Sequence, residues 1–184
     1  SSKVLFRAPY CCPGGTWLTA RKDSFANVSA AAYYYGKELQ KKLGVAVGII
    51  GCYMGGTSIS CWMSKESLEE LEEGREYLSD YKKRVGNKTR EEFNKEQEQF
   101  LKEVNDWNQR ADNIKRKQPG ISGTKINELI GSCPWFPPAG EGSPYRPAGL
   151  YESMLMRVCP YGIRGFLFYQ GEEDEKCPQR YEKM

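Results

Sequence analysis

Histidine is absent from this 184-residue chain. With no imidazole to serve as general base, a Ser-His or Cys-His nucleophile is excluded within these residues. Zinc-type ligand spacing goes with it. The seven cysteines, at positions 11, 12, 52, 61, 133, 159 and 177, form no CxxC pair. Neither charge sign dominates: 27 basic against 24 acidic residues leave a net charge of +3. That balance argues against a nucleic-acid partner, and the short run Lys115-Arg116-Lys117 reads as a solvated helix end. No apolar stretch approaches the roughly 20 residues of a membrane span, so none is expected. Ser1-Ser2-Lys3-Val4-Leu5-Phe6 lacks the layout of a signal peptide. No phosphate-cradling GxxxxGK occurs, no carboxylate pair at glycosidase spacing can be argued, and no cofactor is expected.

What is present is the composition of a globular domain, 39% hydrophobic and 28% charged, in a chain long enough for one good-sized core. An odd cysteine count leaves at least one unpaired. Cys52, after an apolar run, and Cys159, inside an apolar segment, read as small buried hydrophobes. Reduced thiols, and with them a cytoplasmic setting, are mildly favoured.

Two short apolar runs end in glycine-bearing polar loops. Val45-Ala46-Val47-Gly48-Ile49-Ile50 leads into Gly51-Cys52-Tyr53-Met54-Gly55-Gly56-Thr57, and Phe166-Leu167-Phe168-Tyr169 leads into Gln170-Gly171-Glu172-Glu173-Asp174. Uninterrupted apolar runs of this length suit strands buried on both faces of a parallel sheet. In such sheets a pocket lies beyond the carboxyl ends of the strands. A helix is expected over residues 24–43, capped by Ser24 or Asn27 and stopped at Gly44. Helix, turn and buried strand in succession predict an α/β domain with a parallel sheet.

The organisation expected along the chain has four parts. Residues 1–63 form a first part of the α/β domain. Residues 64–117 form an antiparallel helical-hairpin insertion, a structural element or a dimerisation arm. Its first helix is capped by Ser64 and carries Leu68, Leu71, Leu78 and Val85 on one face. Gly86-Asn87-Lys88 breaks it, and Thr89 with Glu92 makes a capping box for a second helix bearing Phe93, Phe100, Val104 and Trp107. Residues 118–149 are a Pro/Gly-rich loop containing Trp135 and Phe136, aromatics that either stack on a sugar ring or pin the loop to the body. Residues 150–184 return to the α/β domain, with a short helix over 150–157, the second strand from Ile163, and a helix begun after Pro178.

Several residues are candidates for chemistry. Gly55 and Gly56 form a tight turn or leave a backbone amide open to a developing oxyanion. Thr57 caps or orients that loop. Gln170 is a neutral amide able to donate to an oxyanion. Glu172 is an acid, a substrate anchor, a loop brace or a solvated carboxylate. Cys52, Ser29, Ser58 and Ser60 lack a base and are read as structural.

The run Val28-Ser29-Ala30-Ala31-Ala32-Tyr33-Tyr34-Tyr35-Gly36-Lys37-Glu38-Leu39 resembles the "FSAVAYYFGREL" helix of the sialate O-acetylesterases, carbohydrate esterases of the SGNH hydrolase superfamily. Gly48-Ile49-Ile50, Gly55-Gly56-Thr57-Ser58-Ile59 and Trp62-Met63 resemble that family's "GLI…GGTxIExWM". Pro147 to Met154 and Pro160 to Glu172 resemble "PSGLYNGMI…LPFAIRGVIWYQGES". The resemblance implies a flavodoxin-like three-layer α/β/α fold, together with metal-free removal of acetyl groups from sugar hydroxyls through a serine acyl-enzyme. It assigns oxyanion stabilisation to Gly55, Gly56 and Gln170; Thr57 and Glu172 in the matching motifs, and Trp135 in the aromatic loop, are the candidate substrate contacts. The "GQSN" serine and "DxH" histidine motifs of the family are not in these residues, so the domain is expected to be incomplete and nearly inert alone. Ser60-Cys61, Glu152-Ser153 and Glu173-Asp174 depart from the family's usual Glu-Ala, Asn-Gly and Ser-Asn. The expected partners are an acetylated sugar such as a sialic acid, further segments of the same polypeptide or of a second chain, or a second copy in a homodimer. Acetylxylan esterase or another sugar deacetylase is an alternative activity. A non-catalytic carbohydrate-binding module using Trp135, Phe136 and the 64–117 hairpin is another. By family, a secreted or periplasmic location also stands open.

Overall fold

The computed structural model describes residues 4–7, 17–19 and 28–184. Cys11, Cys12 and the proposed caps Ser24 and Asn27 lie outside the described residues.

The sheet is small. Strands β1 (Val4–Arg7), β2 (Leu18–Thr19) and β3 (Val47–Ile50) lie in the order β2-β1-β3. The β1–β2 pair is antiparallel and the β1–β3 pair parallel, with Val4 opposite Val47 and Arg7 opposite Ile50. Helix α1 (Ala30–Leu43) precedes β3 and packs on it. Its start is capped by Ser29, whose Oγ accepts from the Ala32 amide at 3.4 Å. Gly44 ends it at φ +68°, a left-handed conformation that glycine adopts without steric cost. Gly36 is where α1 meets the strand: a Cβ there would stand 2.7 Å from Ile49 Cδ1.

The expectation of a three-layer α/β/α domain on a parallel sheet is overturned. Helices make up most of the described chain, and the sheet holds only three strands of four, two and four residues. The run Ile163–Tyr169, read as a second buried strand, is irregular with a bend at Arg164 and pairs with no strand among the described residues. Phe166 is 84% exposed and Tyr169 90% exposed. An apolar run becomes a buried strand only when neighbouring strands and covering helices exist to take both its faces. Here neither face has them.

Beyond β3, a single 3-10 turn (Ile59–Trp62) leads to α2 (Lys65–Glu70), α3 (Glu72–Val85) and α4 (Arg90–Lys117). Ser64 caps α2 by accepting from Ser67 N at 3.0 Å. Leu71, in extended conformation, divides what the sequence suggests is one helix into two. The joint is tight. A Cβ on Gly74 would lie 2.2 Å from the Leu68 carbonyl oxygen, and Leu68 itself is fully buried. The Thr89–Glu92 capping box is formed in both directions, with Thr89 N donating to Glu92 Oε2 at 2.8 Å and Glu92 N to Thr89 Oγ1 at 3.2 Å. The close helix partner of α4 is α5 (Gly123–Ile130), a helix inside the segment read as loop. Trp107 Nε1 donates to Gly131 O at 2.7 Å across that contact. The signal for α5 is there in the sequence: Ser122 caps it, and Ile126 and Ile130 fall on one face.

Residues 131–148 are irregular but tethered. Tyr81 Oη donates to Gly140 O at 2.9 Å and accepts from Gly140 N at 3.0 Å, while Lys88 Nζ donates to Ala139 O at 3.1 Å. Phe93 packs flat on Gly140 and Gly142, where Cβ atoms would approach its ring to 2.3 Å and 3.0 Å. The chain closes through α6 (Gly149–Ser153), 3-10 turns at Leu155–Arg157 and Glu172–Lys176, and α7 (Pro178–Glu182). Cys61, Leu150 and Met154 form a core cluster flanked by Cys52, Met54 and Trp62. Ala148 N ties it to Ser60 O at 2.8 Å. Among the described residues no helix is long and apolar enough to cross a membrane.

Gly74→Ala is expected to cost about 1–3 kcal/mol, because the added methyl must displace backbone rather than a flexible side chain. In urea titration the midpoint should fall while the slope stays constant.

Candidate functional site

The loop after β3 and the block that opens with Gln170 meet. Gln170 Nε2 donates to Thr57 O at 3.0 Å and to Asp174 Oδ2 at 2.8 Å. Both are acceptors, so the amide's orientation is set chemically: turned over, its oxygen would face a carbonyl and a carboxylate. Both Nε2 protons are therefore committed within the protein. Gln170 Oε1 is buried with no hydrogen-bond partner among the described residues.

Asp174 organises the site. It is 4% exposed and accepts from three donors on three separate stretches of chain: Ile59 N at 2.8 Å, Tyr77 Oη at 2.7 Å and Gln170 Nε2 at 2.8 Å. A buried carboxylate needs such partners, because desolvation without them costs several kcal/mol, on the order of the penalty for any unpaired buried ion. Burial, then the hydrogen bond to Asp174 and its charge, push the Tyr77 phenol far above its ordinary range. Tyr77 stays neutral and donates. Nothing in the acidic run Glu172-Glu173-Asp174-Glu175 singles out Asp174; its register in the 3-10 turn Glu172–Lys176 turns it inward, whereas Glu172 is exposed.

The remaining candidates are placed as follows. Thr57 is buried, and its Oγ1 donates to Met54 O at 2.8 Å while accepting from Trp62 Nε1 at 2.9 Å, so its hydroxyl braces the loop. Gly56 lies at φ +67° directly under the Trp135 ring, where a Cβ would come within 2.0 Å of Cη2. Gly55 is exposed, and a Cβ there would meet nothing. Trp135 is 50% exposed and stands edge-on to Tyr145, ring centroids 6.2 Å apart. Gly56, Thr57, Gln170 and Trp135 are thus brought together; Glu172 does not join them.

Between Gly56, Trp135 and α3 opens a cleft of about 200 Å3. One wall is a face of α3, with Tyr77, Asp80, Tyr81 and Arg84 at helical spacing. The opposite wall is Trp135, Phe136 and Tyr145, and the floor is Gly56, Ser58, Ser60 and Cys61. Ser58 Oγ and Ser60 Oγ share a hydrogen bond at 2.8 Å. Arg84 lies 5.8 Å and Lys176 4.9 Å from the centroid of the Phe136 ring. Phe136 itself is held at φ +72°, a conformation costly for a bulky side chain and concentrated at functional sites. Arg180 closes the rear of the wall. It pairs with Glu76 at 2.8 Å and Asp80 at 3.2 Å and stacks over Tyr77 at 4.8 Å.

Cys61, in the cleft floor, and Cys52, beside it in the core cluster, are poor nucleophiles. Burial, as the largest effect, pushes the Cys61 thiol up to about 11, and burial raises Cys52 as well. Cys61 Sγ also donates weakly to Tyr145 O at 3.5 Å. Among the described residues no cluster of acidic and thiol groups could hold a metal ion.

Comparison with family models, with curated proteins and with solved structures finds no match to the chain.

Two predictions follow from this geometry. Gly56→Ala should displace Trp135 and destabilise the chain by about 1–3 kcal/mol, read as a shifted tryptophan emission maximum and a lower Tm, while Gly55→Ala leaves both within error. Cys61 should resist alkylation at pH 8, since its thiolate is populated only as pH nears 11. Mass-mapped iodoacetamide labelling that modifies Cys61 as fast as Cys177 at pH 8 would contradict it.

Proposed function

We propose that the cleft binds a carbohydrate, and that the chain contributes this cleft to a sugar O-acetylesterase of the sialate type. The observation that carries the proposal is the junction of the Gly56–Thr57 loop with Gln170 at 3.0 Å, beside the Trp135 ring. That junction joins segments 113 residues apart, and they are the ones whose motifs resemble the esterase family. The cleft's character supports a sugar ligand. Flat aromatic faces take the apolar faces of a pyranose ring. Hydroxyls of Ser58 and Ser60 and the charges of Asp80 and Arg84 offer partners to its hydroxyls.

In the reaction proposed, a serine oxygen attacks the acetyl carbonyl, the sugar oxygen leaves with a proton, and water then hydrolyses the acetyl-serine. With no histidine in the chain, the serine and its base come from polypeptide outside these residues. The oxyanion would be met by backbone amides of Gly55 and Gly56, each such donor being worth about 3 kcal/mol in the transition state. Gln170 would hold the loop in position rather than donate, because its protons are committed to Thr57 and Asp174.

A second reading is favoured by that same commitment and by the missing histidine: a carbohydrate-binding module without catalysis. Both readings expect an O-acetylated sialic acid to quench tryptophan fluorescence saturably, and Trp135→Ala to weaken binding at least tenfold. Both also expect this chain alone to leave p-nitrophenyl acetate essentially unhydrolysed. The two separate when polypeptide carrying a GQSN serine and a DxH histidine is supplied in trans. Acetyl release then supports the esterase, and binding without release supports the module. No binding of any acetylated sugar sinks both.

A further inference from the structure

The helical segment 64–117 has a role that neither "structural insertion" nor "dimerisation arm" describes. Helix α3 is bonded to three separate stretches around the cleft. Tyr77 Oη reaches Asp174 at 2.7 Å, and Tyr81 Oη holds Gly140 through both its amide and its carbonyl. Arg180 of α7 is gripped by Glu76 and Asp80, and Lys183 by Glu73 at 2.7 Å. Of these ties only the first reaches the junction of the two loops. Its acceptor, Asp174, has no cation bonded to it among the described residues. Among the described residues the carboxylate is met by three hydrogen bonds, one from each of the elements that must hold still: the Thr57–Ile59 loop, the Gln170 block and α3.

We propose that Asp174 is the positioning residue of the cleft, and that α3, acting through Tyr77, sets how the Gly56–Ile59 loop and Gln170 stand relative to each other. The chemistry selects a carboxylate for this place. An ionised acid is acceptor-only and can take several donors at once, and bonds to an ionised acceptor are about twice as strong as neutral ones. Gln170 transmits the constraint. With one proton on Asp174 and the other on Thr57 O, it ties the loop's backbone to the carboxylate. Tyr181 Oη holds the Gln170 carbonyl at 3.0 Å and stops the block from swinging away. Asp174 touches no ligand in this scheme; it acts through Gln170, Ile59 and Tyr77. The proposal rests on the carbohydrate cleft described above for its functional consequence, but not for its structural one.

Three variants test it. Asp174→Ala removes all three bonds; it should lower affinity for an O-acetylated sialic acid at least tenfold. It should also speed hydrogen exchange of the Ile59 amide and abolish the separate, protected side-chain amide signals of Gln170 in NMR. Asp174→Asn keeps an acceptor for Ile59 and Gln170, and the Tyr77 hydroxyl can reverse to accept from the new amide, so it should restore most of the affinity and protection. Tyr77→Phe cuts only the tie to α3. Its affinity should fall several-fold while the Gln170 amide signals persist. A residue that merely supported the fold would lower Tm in all three without this ordering. If Asp174→Ala binds like the wild type with the Gln170 signals unmoved, the proposal is overturned. If Asp174→Ala does not fold, unchanged affinity and unchanged Ile59 exchange in Tyr77→Phe overturn it. If the wild type binds no sugar, the carbohydrate reading fails, yet the Gln170 signals and Ile59 exchange still decide the role of Asp174.

Discussion

A single buried carboxylate decides how this molecule is put together at its cleft. Asp174 brings three stretches of chain to within hydrogen-bonding distance of one group, two of them 115 and 97 residues away in sequence. Long-range closure of that kind costs loop entropy that only strong, directional contacts can offset. A charged acceptor with three donors, held away from water, is such a contact. The same low-dielectric setting makes it unforgiving, since a donor lost there is not replaced by solvent.

Around that point the helical segment works as a frame. Tyr77, Tyr81 and Arg84 lie on one face of α3 because three- and four-residue steps align side chains along a helix. That face closes the cleft opposite Trp135. The Pro/Gly-rich stretch 131–148 is kept in place by Phe93, Lys88 and Tyr81 rather than by secondary structure of its own. Its glycines have a steric purpose at 140 and 142, where the Phe93 ring leaves no room for a Cβ. Cation–π contacts of Arg84 and Lys176 on Phe136 hold a strained aromatic at the mouth.

Local features were legible from sequence where local physics sets them. The Thr89–Glu92 capping box, the Gly44 stop, the break at Gly86 and the proline-started helix at Pro178 all depend on neighbours within a few residues. The inward face of α4, with Phe93 buried, follows from period 3.6. Less was legible where burial must be supplied from afar. The Ile163–Tyr169 run has the composition of a buried strand, but composition says only what a strand would tolerate, and no partner strand lies beside it among the described residues. Helix α5 is masked in the sequence by the proline and glycine on either side of a short, capped apolar pattern.

The amino-acid order alone set the capping, the helix faces, the glycine turns, and the exclusion of histidine chemistry, since each depends on residue identity or near-neighbour spacing. Which acidic side chain of Glu172-Glu173-Asp174-Glu175 is buried, which protons of Gln170 are spent, and which wall faces Trp135 were decided only in three dimensions. The reason is that hydrogen-bond satisfaction is a property of the partners assembled around a group. Those partners came from stretches 97 to 115 residues apart in the chain.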